Sequence, residues 1–254
     1  MACILITGSN RGIGAALAAR AGDLGHDVLR ASRAGQGGDV IFDVSNPQQV
    51  RDAISAINHP IDIVINNAGI IGPDSPTTDM DWTAMAYTFA VNVAGALAVS
   101  TACLDHLRRS SRPRILTVSS QMSYMGYAKS DRIAYRASKA AVNKVMQGLA
   151  TDLHPDGIAV VLVDPGWVQT DMGGAEADLT PCEVAAGIVA LAETLKFEQT
   201  GKSFAGPARS ARFECDQIET GCPLYSSRLR DHRCNIWTVC GNRTRQPLGA
   251  LRNG

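Results

Sequence analysis

Among the five tyrosines of the chain only Tyr135 has a lysine four residues on, Lys139, in the run Tyr135-Arg136-Ala137-Ser138-Lys139. On a helix this spacing sets the phenol and the ammonium on one face, one turn apart. A phenol titrating near pH 10 is a poor proton donor and base at neutrality, and an adjacent cation favours its phenolate, each pKa unit being worth about 1.4 kcal/mol. Taken alone the pair is equally a surface helix contact, so its meaning depends on its company. Upstream, Ser119 and Ser120 close the apolar run Arg114 to Val118, at a strand end where open α/β sheets bind ligands, and Ser123 follows as a further hydroxyl. Asn92 lies in Phe89-Ala90-Val91-Asn92-Val93, where an amide within an apolar helix is costly unless paired.

A second constellation stands at the beginning of the chain. Thr7-Gly8-Ser9-Asn10-Arg11-Gly12-Ile13-Gly14 joins an apolar run to the Ala-rich segment Ala15-Ala16-Leu17-Ala18-Ala19. Glycines there permit a tight turn and let the backbone approach a pyrophosphate, while a helix N-terminus supplies unpaired N–H groups and a partial positive charge. The competing reading of Gly8, Gly12 and Gly14 is a tight turn and close helix packing only, since the strict G-x-G-x-x-G spacing is absent. Many dinucleotide sites hold the adenosine 2′-hydroxyl with an acid about 20 residues further on. Here the second strand ends in Leu29-Arg30-Ala31-Ser32-Arg33 with no acid, and Arg11 lies in the loop itself. Unless Arg11 and Arg33 are merely solvated, two guanidinium groups suit a 2′-phosphate, which favours NADP(H) over NAD(H).

The elements that must position these residues alternate. Short apolar runs predict strands at Cys3–Thr7, Asp27–Ala31, Asp39–Phe42, Ile61–Ile65, Arg114–Val118, Ala159–Val163 and Lys202–Phe204. Helical spacing covers Ile13–Leu24, Pro47–Ile57, Met80–Arg109, Ile133–Leu153 and Pro181–Leu195. Strands alternating with helices of this length predict right-handed βαβ units in an α/β, doubly wound parallel sheet with helices on both faces, one domain from residue 1 to about 206.

The pattern Thr-Gly-x-x-x-Gly-x-Gly, with Asn66-Asn67-Ala68-Gly69 after the fourth strand and Asp164-Pro165-Gly166 after the sixth, resembles the short-chain dehydrogenase/reductase family. The longer run Tyr135-Arg136-x-Ser138-Lys139-Ala140-Ala141-x-Asn143 is similar to its C-factor-like and sniffer-like carbonyl reductase branch. The resemblance implies a Rossmann-type fold and an NADP(H)-dependent carbonyl reductase or alcohol dehydrogenase. It implies that Tyr135 protonates the substrate oxygen, Lys139 tunes Tyr135 and holds the ribose, Ser120 polarises the oxygen, and Asn92 supports a water of the proton relay; Ser119 and Ser123 compete with Ser120 for that role. The loop Gly8 to Gly14 would cradle the cofactor. Asp43 and Val44 would line the adenine pocket, and Asn66, Asn67, Ala68 and Gly69 would steady the sheet beside the cofactor, although Asn66 and Asn67 at a strand end could also simply satisfy a turn. Pro165 and Gly166 would lead the backbone near Val168 and the Thr170 hydroxyl to the nicotinamide carboxamide. Relatives commonly pair through their long central helices, so a homodimer is expected. The alternative function is a dinucleotide-binding signalling or regulatory protein with little turnover.

Composition agrees with a globular enzyme: 45% hydrophobic, 19% charged and 5% aromatic residues over 254 positions. The 24 basic and 24 acidic residues cancel, which leaves no whole-chain electrostatic footprint for nucleic acid or an anionic membrane. No run approaches the 18 or so apolar residues of a membrane span, and no basic region precedes the first apolar segment. The expected partner is a small-molecule carbonyl or alcohol, with no membrane association and a cytoplasmic address. The neutrality is uneven, however: residues 207 to 254 hold eight Arg, no Lys, four acids and four of the seven Cys. This tail has no apolar periodicity and reads as disordered or as a shifted reading frame. Its Cys215, Cys222, His232, Cys234 and Cys240 contain no Cys-x-x-Cys pair, so no metal is expected.

Overall fold

The computed structural model describes residues 1–33 and 38–205. The tail, with its cysteine set and the reading placed on it, lies outside the described residues.

Seven parallel strands form one sheet: β1 (Cys3–Thr7), β2 (Asp27–Ser32), β3 (Val40–Ile41), β4 (Ile63–Asn66), β5 (Arg114–Val118), β6 (Ala159–Asp164) and β7 (Ser203–Ala205). Their order is β3-β2-β1-β4-β5-β6-β7. The connection reverses direction between β1 and β4, which opens a crevice at the carboxyl ends of the strands. Strand alternation builds two cores from one sequence. Cys3 and Leu5 point to the layer that contains Val99, Val142 and Met146, whereas Ile4 and Ile6 point to the layer of Leu17, Ile188 and Val189.

The helices are α1 (Gly12–Asp23), α2 (Pro47–Ser55), α3 (Trp82–Phe89), α4 (Ala96–Ala102), α5 (Leu104–Leu107), α6 (Ile133–Asp152) and α7 (Pro181–Thr194). Several begin where their caps dictate. Asn46 accepts from the N–H groups of Gln48 and Gln49 ahead of Pro47, and Thr180 with Glu183 forms a capping box ahead of Pro181. The N-terminus of α1 differs: Arg11 makes no side-chain cap, so its first N–H groups are left facing the crevice.

One expected element divides. The single helix predicted over Met80–Arg109 is α3, a π-helical segment Ala90–Gly95, α4 and the short α5. Asn92 lies in the π segment, and its side chain bonds outside the helix, a setting in which an extra residue per turn is typically accommodated. The expectation that nothing approaches a membrane span is also corrected. Trp82–Ala102 is a 21-residue helical stretch, by length and composition apolar enough to cross a membrane, with a mean hydropathy of 1.4. Part of its apolar character is spent on the core, which Ala96 and Val99 join. The other boundary differences are one or two residues. β4 starts at Ile63, and the side chain of the preceding Asp62 accepts from Cys3 N and Ser110 Oγ.

Candidate active site

At the amino end of the crevice, the glycines are set by backbone geometry. Gly8 and Gly12 have φ of +65° and +53°, the left-handed region that disfavours side chains. Gly14 has an ordinary φ, but a Cβ there would stand 2.1 Å from Gly8 O and 2.6 Å from Asn67 Nδ2. Asn67 Nδ2 donates to Thr7 O at 2.9 Å, and Thr7 Oγ1 accepts from the N–H groups of Asn67 and Ala68, each at 3.0 Å. The end of β4 is thus sewn to the glycine loop. Asn66, inside the strand, donates instead to Ser100 and Thr117.

At the other end, α6 carries Tyr135 and Lys139 one turn apart, as their spacing requires. Its start is fixed by Arg136, whose buried guanidinium donates to Asp131 O and Asp131 Oδ1 at 2.8 Å and lies over the Tyr127 ring. Arg132 before it takes φ +51°, with its N–H held by Asp74. Lys139 Nζ donates to Val118 O at 2.7 Å and stands 5.6 Å from the centre of the Tyr135 ring. Tyr135 shares a side-chain hydrogen bond with Ser120. Ser119 is turned into the protein, its hydroxyl on Asn143, and the Ser123 hydroxyl donates to Ser120 O. Of the three serines the sequence leaves open, the geometry brings Ser120 to Tyr135.

Burial decides the electrostatics here. It pushes the Tyr135 phenol up to about 12, against the smaller lowering effect of Ser120, and Asp164 raises it further. Burial pulls Lys139 down to about 8, while Asp164 holds it up. The cation is therefore not enough to make a phenolate, contrary to the simple expectation from the pair. Both side chains are more than nine-tenths buried, and dehydration of the charged form is the largest influence on each. A phenol kept protonated at neutrality is suited to giving a proton away. Asp164, at the end of β6, was not singled out by sequence reasoning; its Oδ1 accepts from Gly166 N, which folds the Pro165-Gly166 turn beside the lysine.

These groups open into one cleft of about 1320 Å³ that runs from Gly8 past Tyr135 to Gly173. That volume exceeds the roughly 300–1,000 Å³ of an ordinary small-molecule pocket. Asn10, Arg11, Gly12, Ile13 and Gly14 line it, as do Arg33, Asp43, Val44, Asn67, Ala68 and Gly69. So do Ser120, Tyr135, Lys139, Pro165, Gly166, Val168 and Thr170. Two of the expected residues do not. Ser9 is buried with its hydroxyl on Ala31 O, tying the loop to β2. Asn92 is buried one layer back: its Oδ1 accepts from Ile70 N at 2.8 Å, and its Nδ2 donates to Ile70 O and Ser138 Oγ. It meets the site indirectly, since a Cβ on Gly69 would lie 3.3 Å from Asn92 Oδ1 and 3.7 Å from Lys139 Nζ.

The two arginines have different partners. Arg33 approaches Asp43 at 4.0 Å, and Arg11 pairs with Asp171, just past Thr170. Exposed ion pairs of this kind contribute at most about 1 kcal/mol, so both guanidiniums yield readily to a phosphate. The uncapped α1 N-terminus, the side-chain-free path over Gly12 and Gly14 and these two cations together fit an extended anionic dinucleotide.

At the far end of the strands, Cys3, Asp27 and His59 bring ligand atoms within 4.8 Å of one another. Burial pushes the Cys3 thiol up to about 12, and it is hydrogen-bonded to Asp27.

The family model of the short chain dehydrogenases matches residues 2–179. The chain belongs to that family. This short-chain dehydrogenase is 40% identical over 154 residues to the C-signal of Myxococcus xanthus, spanning 60% of this chain and 92% of that protein. Carbonyl reductase Sniffer of D. melanogaster superposes with a TM-score of 0.76 at 26% identity, over 81% of this chain and 96% of that one. A short chain dehydrogenase from Burkholderia cenocepacia J2315, solved in complex with NADP, gives 0.71 at 29% identity over 80% and 94% of the two chains. As a member of this family the protein is an oxidoreductase, and the Rossmann-type sheet expected from the sequence is the one observed.

Proposed function

We propose that this short-chain dehydrogenase is an NADP(H)-dependent carbonyl reductase or alcohol dehydrogenase acting on a small molecule. The observation that carries the reading is the convergence of Ser120, Tyr135 and Lys139 on the cleft whose other end is the glycine loop with Arg11 and Arg33. Bound NADPH supplies a hydride to a carbonyl carbon. The chain's own residues do the rest. Tyr135, held protonated by burial, gives its proton to the carbonyl oxygen, and the Ser120 hydroxyl donates a hydrogen bond to the same atom as charge develops. Lys139 lies behind Tyr135 and toward the ribose, its ammonium compensating charge on the phenol.

Cofactor contacts follow the cleft. The N–H groups at the start of α1, across Gly12 and Gly14, receive the pyrophosphate, and Arg11 and Arg33 take the 2′-phosphate. Asp43 and Val44 flank the adenine, and Val168 and Thr170 meet the carboxamide. Asn92 acts by holding Ile70 and Ser138, and through them the Gly69 turn against Lys139. The NADP-bound relative from Burkholderia supports the cofactor choice. The reading includes a homodimer in the cytoplasm, checked by light scattering and by cell fractionation. The regulatory alternative is not favoured, because a protein that only bound dinucleotide would not need a serine assembled with a buried tyrosine and lysine at the substrate end.

NADPH and NADH oxidation measured over a panel of aldehydes and ketones tests the proposal. Turnover with a preference for NADPH is the expected result. Tight NADPH binding without turnover of any carbonyl or alcohol would support the regulator instead.

A further inference from the structure

Asn143 stands one turn beyond Lys139 and two beyond Tyr135 on α6, so the three share one face. Its amide oxygen accepts from Ser119 Oγ at 2.5 Å, and its Nδ2 donates to Ser123 Oγ at 2.9 Å. Ser123 in turn donates to Ser120 O twice, from Oγ at 2.6 Å and from N at 3.0 Å. A single amide thus grips the residue before Ser120 and, through Ser123, the peptide of Ser120 itself. An amide has an acceptor at one end and a donor at the other in a fixed plane, and both ends are used here.

The arrangement occupies two of the three hydroxyls. Ser119 is only 3% exposed and spends its proton on Asn143, and Ser123 spends its own on Ser120 O. The Ser120 hydroxyl accepts from Met122 N and meets Tyr135. The same rigid helix therefore carries the tyrosine directly and the serine loop through one amide.

We propose that Asn143 is a positioning residue: it selects Ser120 among the three serines and holds its hydroxyl at the distance from Tyr135 at which both reach one carbonyl oxygen. This rests on the reading of Ser120 as a donor to the substrate oxygen. Misplacement of a reacting group by about 1 Å can cost roughly 100-fold in rate, so a loosened serine loop is expected to act on kcat and not on cofactor affinity.

The test is a double-mutant cycle. Asn143→Ala and Asn143→Asp are each made alone and together with Ser120→Ala, and kcat, KM and NADPH fluorescence titrations are measured. The substrate is whichever aldehyde or ketone the wild-type enzyme reduces fastest in the NADPH panel. Aspartate keeps the size and the acceptor for Ser119 but loses the donor to Ser123, so it decides the matter if the alanine variant fails to fold. Each Asn143 variant is expected to lose about 10- to 100-fold in kcat with NADPH binding intact, and to cause no further loss in the Ser120→Ala background. Unchanged kcat, or an equal loss in both backgrounds, overturns the proposal, the second result marking a general structural role. Wild-type kcat in Ser120→Ala, or no turnover of any panel member by the wild-type enzyme, overturns the underlying role of Ser120 and the proposal with it. An impaired Ser120→Ala beside unimpaired Asn143 variants removes Asn143 alone.

Discussion

The two ends of the cleft are built by different means. At the glycine loop the work is done by backbone: positive φ at Gly8 and Gly12, a contact distance at Gly14 that excludes even a methyl group, and an uncapped helix start. The charged side chains there, Arg11 and Arg33, are exposed and paired at the surface. At the tyrosine end the work is done by buried side chains whose ionisation the interior controls, pushing Tyr135 up and Lys139 down. A phosphate-binding end can stay wet, because its ligand is already charged and needs only donors and room. A proton-transferring end must be dry enough to hold a phenol neutral yet poised, so it costs stability that the rest of the fold has to supply.

Tyr135→Phe strikes the buried end hardest: kcat is expected to fall by about 100- to 10,000-fold, with NADPH affinity retained in a fluorescence titration. Wild-type turnover in that variant would remove the assigned proton donor. Gly14→Ala strikes the backbone end. Its Cβ must displace Gly8 O or Asn67, so a loss of about 1–3 kcal/mol in denaturant unfolding, together with weakened NADPH binding, is expected.

Arg33→Ala should lower the NADPH-over-NADH ratio of kcat/KM by about 10- to 100-fold, the value of a charge-assisted hydrogen bond, without altering kcat at saturation. An unchanged ratio would return Arg33 to the solvated surface. Lys139→Met exposes the stability cost at the buried end. The folded value of Lys139 lies below its unfolded one, so its destabilisation is fully present below pH 8 and fades as pH rises toward about 10.5. The inactive methionine variant should therefore be more stable than wild type by about 1–4 kcal/mol at neutral pH, with the difference shrinking above pH 8 in paired thermal melts. The smallest expected effect is that of Asp164→Asn. Its carboxylate raises both Tyr135 and Lys139, so its removal lowers both and moves the alkaline limb of the pH–rate profile to lower pH. Movement in the other direction would contradict this electrostatic role.

Legibility in the sequence followed the same division. The strands β1 and β5 are predicted to the residue, because both faces of a central parallel strand are buried and the run is mostly apolar. The glycine loop is equally plain, since a left-handed backbone leaves a specific residue type behind. The long helix through Asn92 was misread as continuous, because a π turn has no composition of its own. Ser9 looked like its loop neighbours but faces β2, a matter of which way one hydroxyl points.

By itself the sequence determined the sheet, its two core layers, the glycine-loop helix start and the spacing of Tyr135 and Lys139. These are local or periodic properties, expressed through φ, ψ and the alternation of side chains along a strand or helix. Only the tertiary structure decided which of three serines meets the tyrosine, that Asp164 acts on both Tyr135 and Lys139, and that burial keeps the phenol protonated. Those outcomes depend on groups far apart in the chain and on how much water is left between them, which no spacing along the sequence records.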